Sequence, residues 1–187
     1  VANGPPRDAP GSAHSMFQKL PQCPCSRSSY AAVAIREKND AASRSPSRSN
    51  NTAALEHLRG GDVTILAGGT DLMPQSHAGR VTLQRGLLNI RRVPELHRIE
   101  RDGAGVRIGT LCTVSELMRD PLVRAHFGIL AEACDHFASD QLRNAATIGG
   151  NVCNASPAGD LLLPLLVLDG EAELASKPNG TVATRRV

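Results

Sequence analysis

The sequence predicts a mixed α+β domain over residues 51–187, preceded by a tail over residues 1–50. Three observations carry this. Strand-length apolar runs and short amphipathic helical segments are interleaved over residues 51–187 with no internal repeat. Aromatic residues make up only 2% of the 187, with no Trp, one Tyr and three Phe, so a core has to come from Leu, Val, Ile and Ala. Residues 1–50 hold six of the twelve Pro and nine Ser, with no sustained apolar period. A stretch such as Ser43-Arg44-Ser45-Pro46-Ser47-Arg48-Ser49 buries too little surface to offset its ordering entropy. The tail is read as disordered or foreign to the domain, with Tyr30 to Lys38 able to form a short helix or strand.

Residues 52–58 predict a short helix, with Ala53, Ala54, Leu55 and Leu58 as its apolar face. Residues 62–67 read as a buried strand that ends in the tight loop Gly68-Gly69-Thr70-Asp71. Residues 86–90 read as a second strand, closed by the turn Arg91-Arg92-Val93-Pro94. The turn Asp102-Gly103-Ala104-Gly105 leads into a strand over 106–109. Thr113 with Glu116 three positions on is a capping box for a helix that stops before Asp120-Pro121. A further helix is expected over 126–137, with Leu130, Ala131, Cys134 and Phe137 on one face. Residues 161–168 form a buried helix or strand, and Pro164 favours the first turn of a helix or an irregular segment. Residues 171–175 and 181–183 predict a closing hairpin around Pro178-Asn179-Gly180.

Several function classes find no support. The net charge of +3 divides into +4 over residues 1–50 and −1 over 51–187, so the basic balance belongs to the tail. With no basic stripe and no aromatic platforms, nucleic acid is not an expected partner. The longest apolar run, 161–168, is interrupted by Pro164 and is far short of the roughly 20 residues a membrane span needs. Val1-Ala2-Asn3-Gly4 opens no basic region followed by an apolar stretch, so no secretory signal is expected, and five Cys in no regular spacing predict reduced thiols and a cytoplasmic protein. Cys23-Pro24-Cys25 lacks a second Cys or His pair at zinc spacing, so no metal site is expected. Gly103-x-Gly105 precedes a strand instead of following one, which suits a hairpin turn and not a dinucleotide fingerprint. There is no Walker A ending and no G-x-S-x-G elbow, and no catalytic side chain is assigned.

Two glycine-rich loops remain. In Ile65-Leu66-Ala67-Gly68-Gly69-Thr70-Asp71-Leu72, a strand runs into paired glycines, a hydroxyl and a carboxylate. Glycines let backbone N–H groups converge on an anion. The second loop, residues 143–160, is dense in small and polar residues, with Thr147, Asn151, Asn154 and Ser156 as donors and acceptors. A loop of that length between apolar flanks is usually functional.

Taken in order, these pieces resemble the FAD-binding domain of molybdenum hydroxylases, the flavoprotein subunit of the bacterial xanthine dehydrogenase and aerobic carbon monoxide dehydrogenase types. L-A-G-G-T-D-L resembles the family's first diphosphate loop, V-R-I-G-T-L-C-T-V-S-E-L and D-P-L-V its following strand and helix, and Q-L-R-N-A-A-T-I-G-G-N-V-C-N-A-S-P-A-G-D-L its second flavin loop. The resemblance covers residues 52–187 and implies a PCMH/VAO-type FAD-binding fold of two small α/β subdomains, with the family's C-terminal subdomain missing. It implies cofactor contacts from the first loop, Ile65 to Leu72, and completion of the diphosphate site by Thr147, Gly150 and Asn151. Asn154, Ser156 and Asp160 would lie along the rest of the cofactor, and Phe137 and Ala138 would pack near it. Ile148, Val152 and Leu161 are assigned to the core. The implied role is an electron-transfer subunit that takes electrons from iron–sulfur clusters to FAD and on to an acceptor such as NAD. Its implied partners are a molybdopterin-binding large subunit and an iron–sulfur small subunit. Two alternatives stay open: a self-contained flavin oxidase of the vanillyl-alcohol-oxidase type, and a cofactor-free scaffold or nucleotide-binding module.

Overall fold

In the computed structural model, the described residues are 30–35, 52–59, 61–103, 105–177 and 182–187. An antiparallel five-stranded sheet has the order β4-β5-β1-β6-β7. Its strands are β1 (Tyr30–Ile35), β4 (Ile99–Asp102), β5 (Gly105–Ile108), β6 (Gly170–Ser176) and β7 (Ala183–Arg186). A separate parallel pair joins β2 (Val63–Leu66) to β3 (Gly86–Asn89), with Ile65 opposite Leu88. Parallel neighbours need a crossover, and α2 (Leu72–His77) lies in it.

The middle strand takes up the strand option left open for Tyr30 to Lys38. Tyr30–Ile35 lies inside the segment read as a tail, yet it is β1, pairing with β5 at Val33↔Ile108 and with β6 at Ala32↔Glu173. Tyr, Val and Ile suit a strand, but only distant partners reveal it, because strand preference is set by neighbours across the sheet. The remainder of residues 1–50 falls outside the described residues. An ion pair spans β1: Arg107 of β5 reaches Glu173 of β6 through Nη1–Oε1 at 3.2 Å and Nη2–Oε2 at 3.3 Å. Burial works to lower the Arg107 pKa, and the hydrogen bond and charge of Glu173 outweigh it, so the net shift is upward.

Two apolar cores flank the sheets. The smaller gathers Leu55 and Leu58 of α1 (Thr52–Arg59) with Ile90, Leu96 and Leu111, and Ile65 and Ala67 pack against it. The larger gathers Ile108, Cys112, Val114, Leu117, Val123, Leu130, Cys134, Ile148, Leu161 and Leu165, among others. Leu111 belongs to the first and its neighbour Cys112 to the second, so the turn after β5 joins both. The expected assignment of Ile148 and Leu161 to the core holds; both are fully buried.

The helices follow local rules with two exceptions. The capping box forms: Thr113 Oγ1 accepts from Glu116 N–H and Glu116 accepts from Thr113 N–H, opening α3 (Val114–Arg119). Asp120 Oδ1 accepts from Leu122 and Val123 N–H at 2.9 and 3.1 Å, starting α4 (Pro121–His126) with Pro at its first position. The helix expected over 126–137 is shorter, α5 (Gly128–His136), because buried Phe127 leaves helical geometry at φ −128° and ψ 54°. The larger exception is the second glycine loop, which is not one loop. It contains the end of α6 (Asp140–Arg143) and all of α7 (Ile148–Asn154). Ser139 Oγ accepts from Leu142 N–H, Thr147 Oγ1 accepts from Gly150 N–H at 3.1 Å, and Ala155 ends α7 at φ 49°. Residues 162–167 form α8 (Leu162–Val167), with Pro164 in its first turn, the helical option of the two left open. Strands β4 and β5 pair as a hairpin, with Gly103 at φ 62°, and Ala104 of the expected turn lies outside the described residues. The β6–β7 hairpin also forms, and the expected turn residues 178–180 lie outside the described residues.

Candidate functional site

The first loop leaves β2 on the smaller core and enters α2. Ile65 and Leu66 end the strand, Ala67 to Thr70 make the loop, Asp71 takes the N-cap position and Leu72 begins the helix. Gly69 has φ +75°, a conformation that glycine adopts without strain. The carbonyls of Gly69 and Asp71 are engaged, by Met73 and Gln75 N–H at 3.1 and 3.0 Å. Among the described residues, no hydrogen bond is donated by the N–H groups of Gly68, Gly69, Thr70 or Asp71. Asp71 does not cap its own helix with its side chain. Its Oδ2 accepts instead from Asn154 Nδ2 of α7 at 2.8 Å, across 83 residues. Gln75 Nε2 reaches Asn154 Oδ1 at 3.4 Å and makes a second link.

The second segment is held differently. Val114 N–H donates to Ala146 O, Ile148 N–H to Cys112 O and Gly149 N–H to Thr110 O, all at 2.9–3.0 Å. Gly150 N–H goes to Thr147 Oγ1 and Asn151 N–H to Thr147 O. Of the residues expected to complete a diphosphate site, Gly150 and Asn151 therefore have their backbone donors engaged within the fold. Asn151 Oδ1, by contrast, is buried with no partner. A buried polar atom left unpaired is costly, and α7 thus carries one amide end that a ligand would satisfy. The two segments touch through backbone: a Cβ on Gly68 would lie 2.1 Å from Ala145 O. Gly68 must be small because of Ala145, and Gly149 because a Cβ there would lie 1.5 Å from Thr110 Oγ1.

The remaining expected residues are less closely joined. Phe137 caps α5 and packs against the larger core, and Ala138 follows it in a left-handed turn at φ 38°. Ser156 Oγ accepts from Ala158 N–H at 3.2 Å, in the turn that leads to exposed Asp160. No hydrogen bond among the described residues ties Ser156 or Asp160 to the first loop. Sequence reasoning missed Ala145, Thr110 and Gln75. Gln75 sits one helical turn beyond Asp71, a spacing visible in the sequence, whereas Ala145 acts through its carbonyl, which no side-chain pattern announces.

No cluster of three or more His, Cys, Asp and Glu suited to a metal occurs among the described residues. No helix among them is long and apolar enough to cross a membrane. Burial pushes the thiols of Cys112 and Cys134 up to about 12, with the charge of Glu116 adding to the shift at Cys112.

Residues 42–184 match the family described as the FAD binding domain in molybdopterin dehydrogenase. The chain is 35% identical over 136 residues to the carbon monoxide dehydrogenase medium chain of Hydrogenophaga pseudoflava, covering 72% of this chain and 46% of that one. It is 36% identical over 118 residues to a xanthine dehydrogenase FAD-binding subunit of Escherichia coli O157:H7, covering 62% and 39%. Among solved structures, carbon monoxide dehydrogenase from H. pseudoflava superposes with a TM-score of 0.61 at 33% identity, covering 74% and 47% of the two chains. Quinoline 2-oxidoreductase from Pseudomonas putida 86 gives 0.66 at 25% identity, covering 74% and 48%. The chain spans less than half the length of each of these relatives.

Proposed function

The chain belongs to the family of FAD-binding domains of molybdopterin dehydrogenases, and from that membership we propose that residues 51–187 hold FAD between the first loop and α7 and serve as the flavoprotein part of such a dehydrogenase. The observation that carries the placement is the pairing of four undonated N–H groups, Gly68 to Asp71, with a facing segment that presents an unpaired buried amide on Asn151. Successive free N–H groups suit a diphosphate. Asn151 suits a hydroxyl or oxygen of the cofactor, because a half-turn of its amide exchanges acceptor for donor. Asn154 holds Asp71 aside and so fixes the distance between the two walls. Bound FAD supplies the redox chemistry, and the protein supplies binding and orientation.

In this reading Thr70, Thr147, Gly150, Asn154, Ser156, Asp160, Phe137 and Ala138 line the rest of the site. Electrons reach the flavin from iron–sulfur clusters on a small subunit, drawn from a molybdopterin-bearing large subunit, and leave to NAD or another acceptor. Cytoplasmic placement fits described thiols that form no disulfide. Titration of the full chain with FAD, followed by flavin fluorescence and visible absorption, tests the cofactor assignment. Saturable one-to-one binding is expected. A chain that takes up no flavin favours the cofactor-free scaffold instead. Co-purification with large and small subunits tests the assembly, and NADH formation by the assembled complex tests the acceptor.

A further inference from the structure

Arg143 ends α6 in a mostly buried position, with its side chain 15% exposed. Its Nη1 donates to three main-chain carbonyls at the end of α5: Asp135 and Phe137 at 2.9 Å each, and Ala138 at 3.5 Å. Its Nη2 holds Asp140 Oδ1, whose carboxylate is exposed. Basic side chains often satisfy the last carbonyls of a helix. This one does more than end α5, because the chain it anchors runs directly into the contact between the two glycine segments. Ala145 and Ala146 N–H both return to Leu142 O, at 3.0 and 2.7 Å, so residues 143–146 form a tight turn. That turn presents Ala145 O to Gly68. A planar guanidinium that fixes the α5 end and the start of this turn therefore fixes where the second segment meets the first.

We propose that Arg143 is a positioning residue for the cofactor site, setting the height of the Ala145 carbonyl against Gly68 and hence the spacing between the first loop and α7. This rests on the FAD reading above. Lys lacks the planar fork and cannot serve the three carbonyls and Asp140 together.

The test uses the full chain as parent, Arg143→Met, Arg143→Lys and Asp140→Asn. FAD affinity, the visible band shape of bound flavin and far-UV circular dichroism are measured on each. Arg143→Met should keep its far-UV spectrum, bind FAD at least about tenfold more weakly and broaden the flavin band, since small misplacements in a preorganised site are felt strongly. Arg143→Lys should recover part of the affinity, and Asp140→Asn should match the parent. If Arg143→Met does not fold, Arg143→Lys decides: a folded Lys variant that binds as tightly as the parent overturns the inference. So does a folded Arg143→Met within about twofold of the parent, or an Asp140→Asn as weak as Arg143→Met. A parent that binds no FAD removes the functional reading itself, and the inference with it. A binding parent with indifferent Arg143 variants removes the inference alone.

Discussion

The two glycine-bearing segments look alike in sequence and behave differently in the fold. The first, Gly68-Gly69-Thr70-Asp71, leaves its N–H groups undonated among the described residues and makes its link to α7 through side chains. The second, Ile148-Gly149-Gly150-Asn151, has those donors engaged by Cys112, Thr110 and Thr147 and lies against the larger core. One pair of glycines leaves a surface open. The other lets a helix approach a threonine closely. On the proposed reading, the difference separates a ligand cradle from the wall that supports it.

The largest effect is expected at Gly149. A Cβ there would meet Thr110 Oγ1 at 1.5 Å and Thr110 O at 2.8 Å, and the backbone atom cannot swing away. Overpacking of a tight core costs about 1–3 kcal/mol and occasionally more, and this site belongs at or beyond the upper end. Gly149→Ala should lower the urea midpoint and lose FAD only as the fold is lost. A stable Gly149→Ala that fails to bind flavin would give Gly149 itself a part in holding the cofactor and undo the contrast.

Gly68 and Gly69 come next and should show the reverse pattern. Gly68→Ala sets a methyl 2.1 Å from Ala145 O, which separates loop from wall. Flavin affinity should fall by at least about tenfold, while far-UV circular dichroism changes little. Gly69→Val places a branched residue at φ +75°, which costs roughly 1–2 kcal/mol locally, and should also lose FAD with the fold retained. If either variant unfolds the chain, the first loop is as structural as the second.

Alkaline pH acts on the larger core, against which the second segment lies. The folded thiols of Cys112 and Cys134 are pushed up to about 12 by burial, above the ordinary thiol value of 9.0. Below pH 9 both states keep their protons and the stability is fully present. As pH rises from 9 toward 12 the unfolded chain loses protons that the native state retains, so stability falls, by on the order of 1 kcal/mol per thiol for each pH unit. Denaturation midpoints at pH 8 and 10 should differ, and Cys134→Ala should flatten the slope while lowering stability at both. A slope unchanged by that substitution would mean other groups drive the loss.

These contrasts also mark what the sequence could and could not disclose. The Thr113–Glu116 capping box is local, three residues apart, and was legible. So was the β2 strand with its glycine turn. The helix α7 was not, because two adjacent glycines disfavour a helix on propensity. What holds them helical is remote, the carbonyls of Thr110 and Cys112 and the space against Thr110. Strand β1 was legible only as a short helix or strand, since its partners lie at residues 106–108 and 170–175. In the site, side-chain candidates such as Asp71, Asn151 and Asn154 could be named in advance. The meeting of Gly68 with Ala145 could not, because it is made by backbone.

The smallest effect, at Asn151, is the most discriminating because two signs are expected at once. Its Oδ1 is buried without a partner. An unsatisfied buried acceptor destabilises the fold, so Asn151→Ala removes a penalty and should leave stability unchanged or slightly higher. In the loaded chain the same amide gains its partner, and its loss should remove about 0.5–1.5 kcal/mol of binding, a several-fold to roughly tenfold weakening. Stability without flavin and affinity for flavin should therefore move apart. Asn151→Asp keeps the shape but puts a carboxylate close to a diphosphate, so its affinity should fall further. Were Asn151→Ala to lose stability and keep its affinity, the amide would be a part of the wall like Gly149, and the cofactor would sit on the first loop without it.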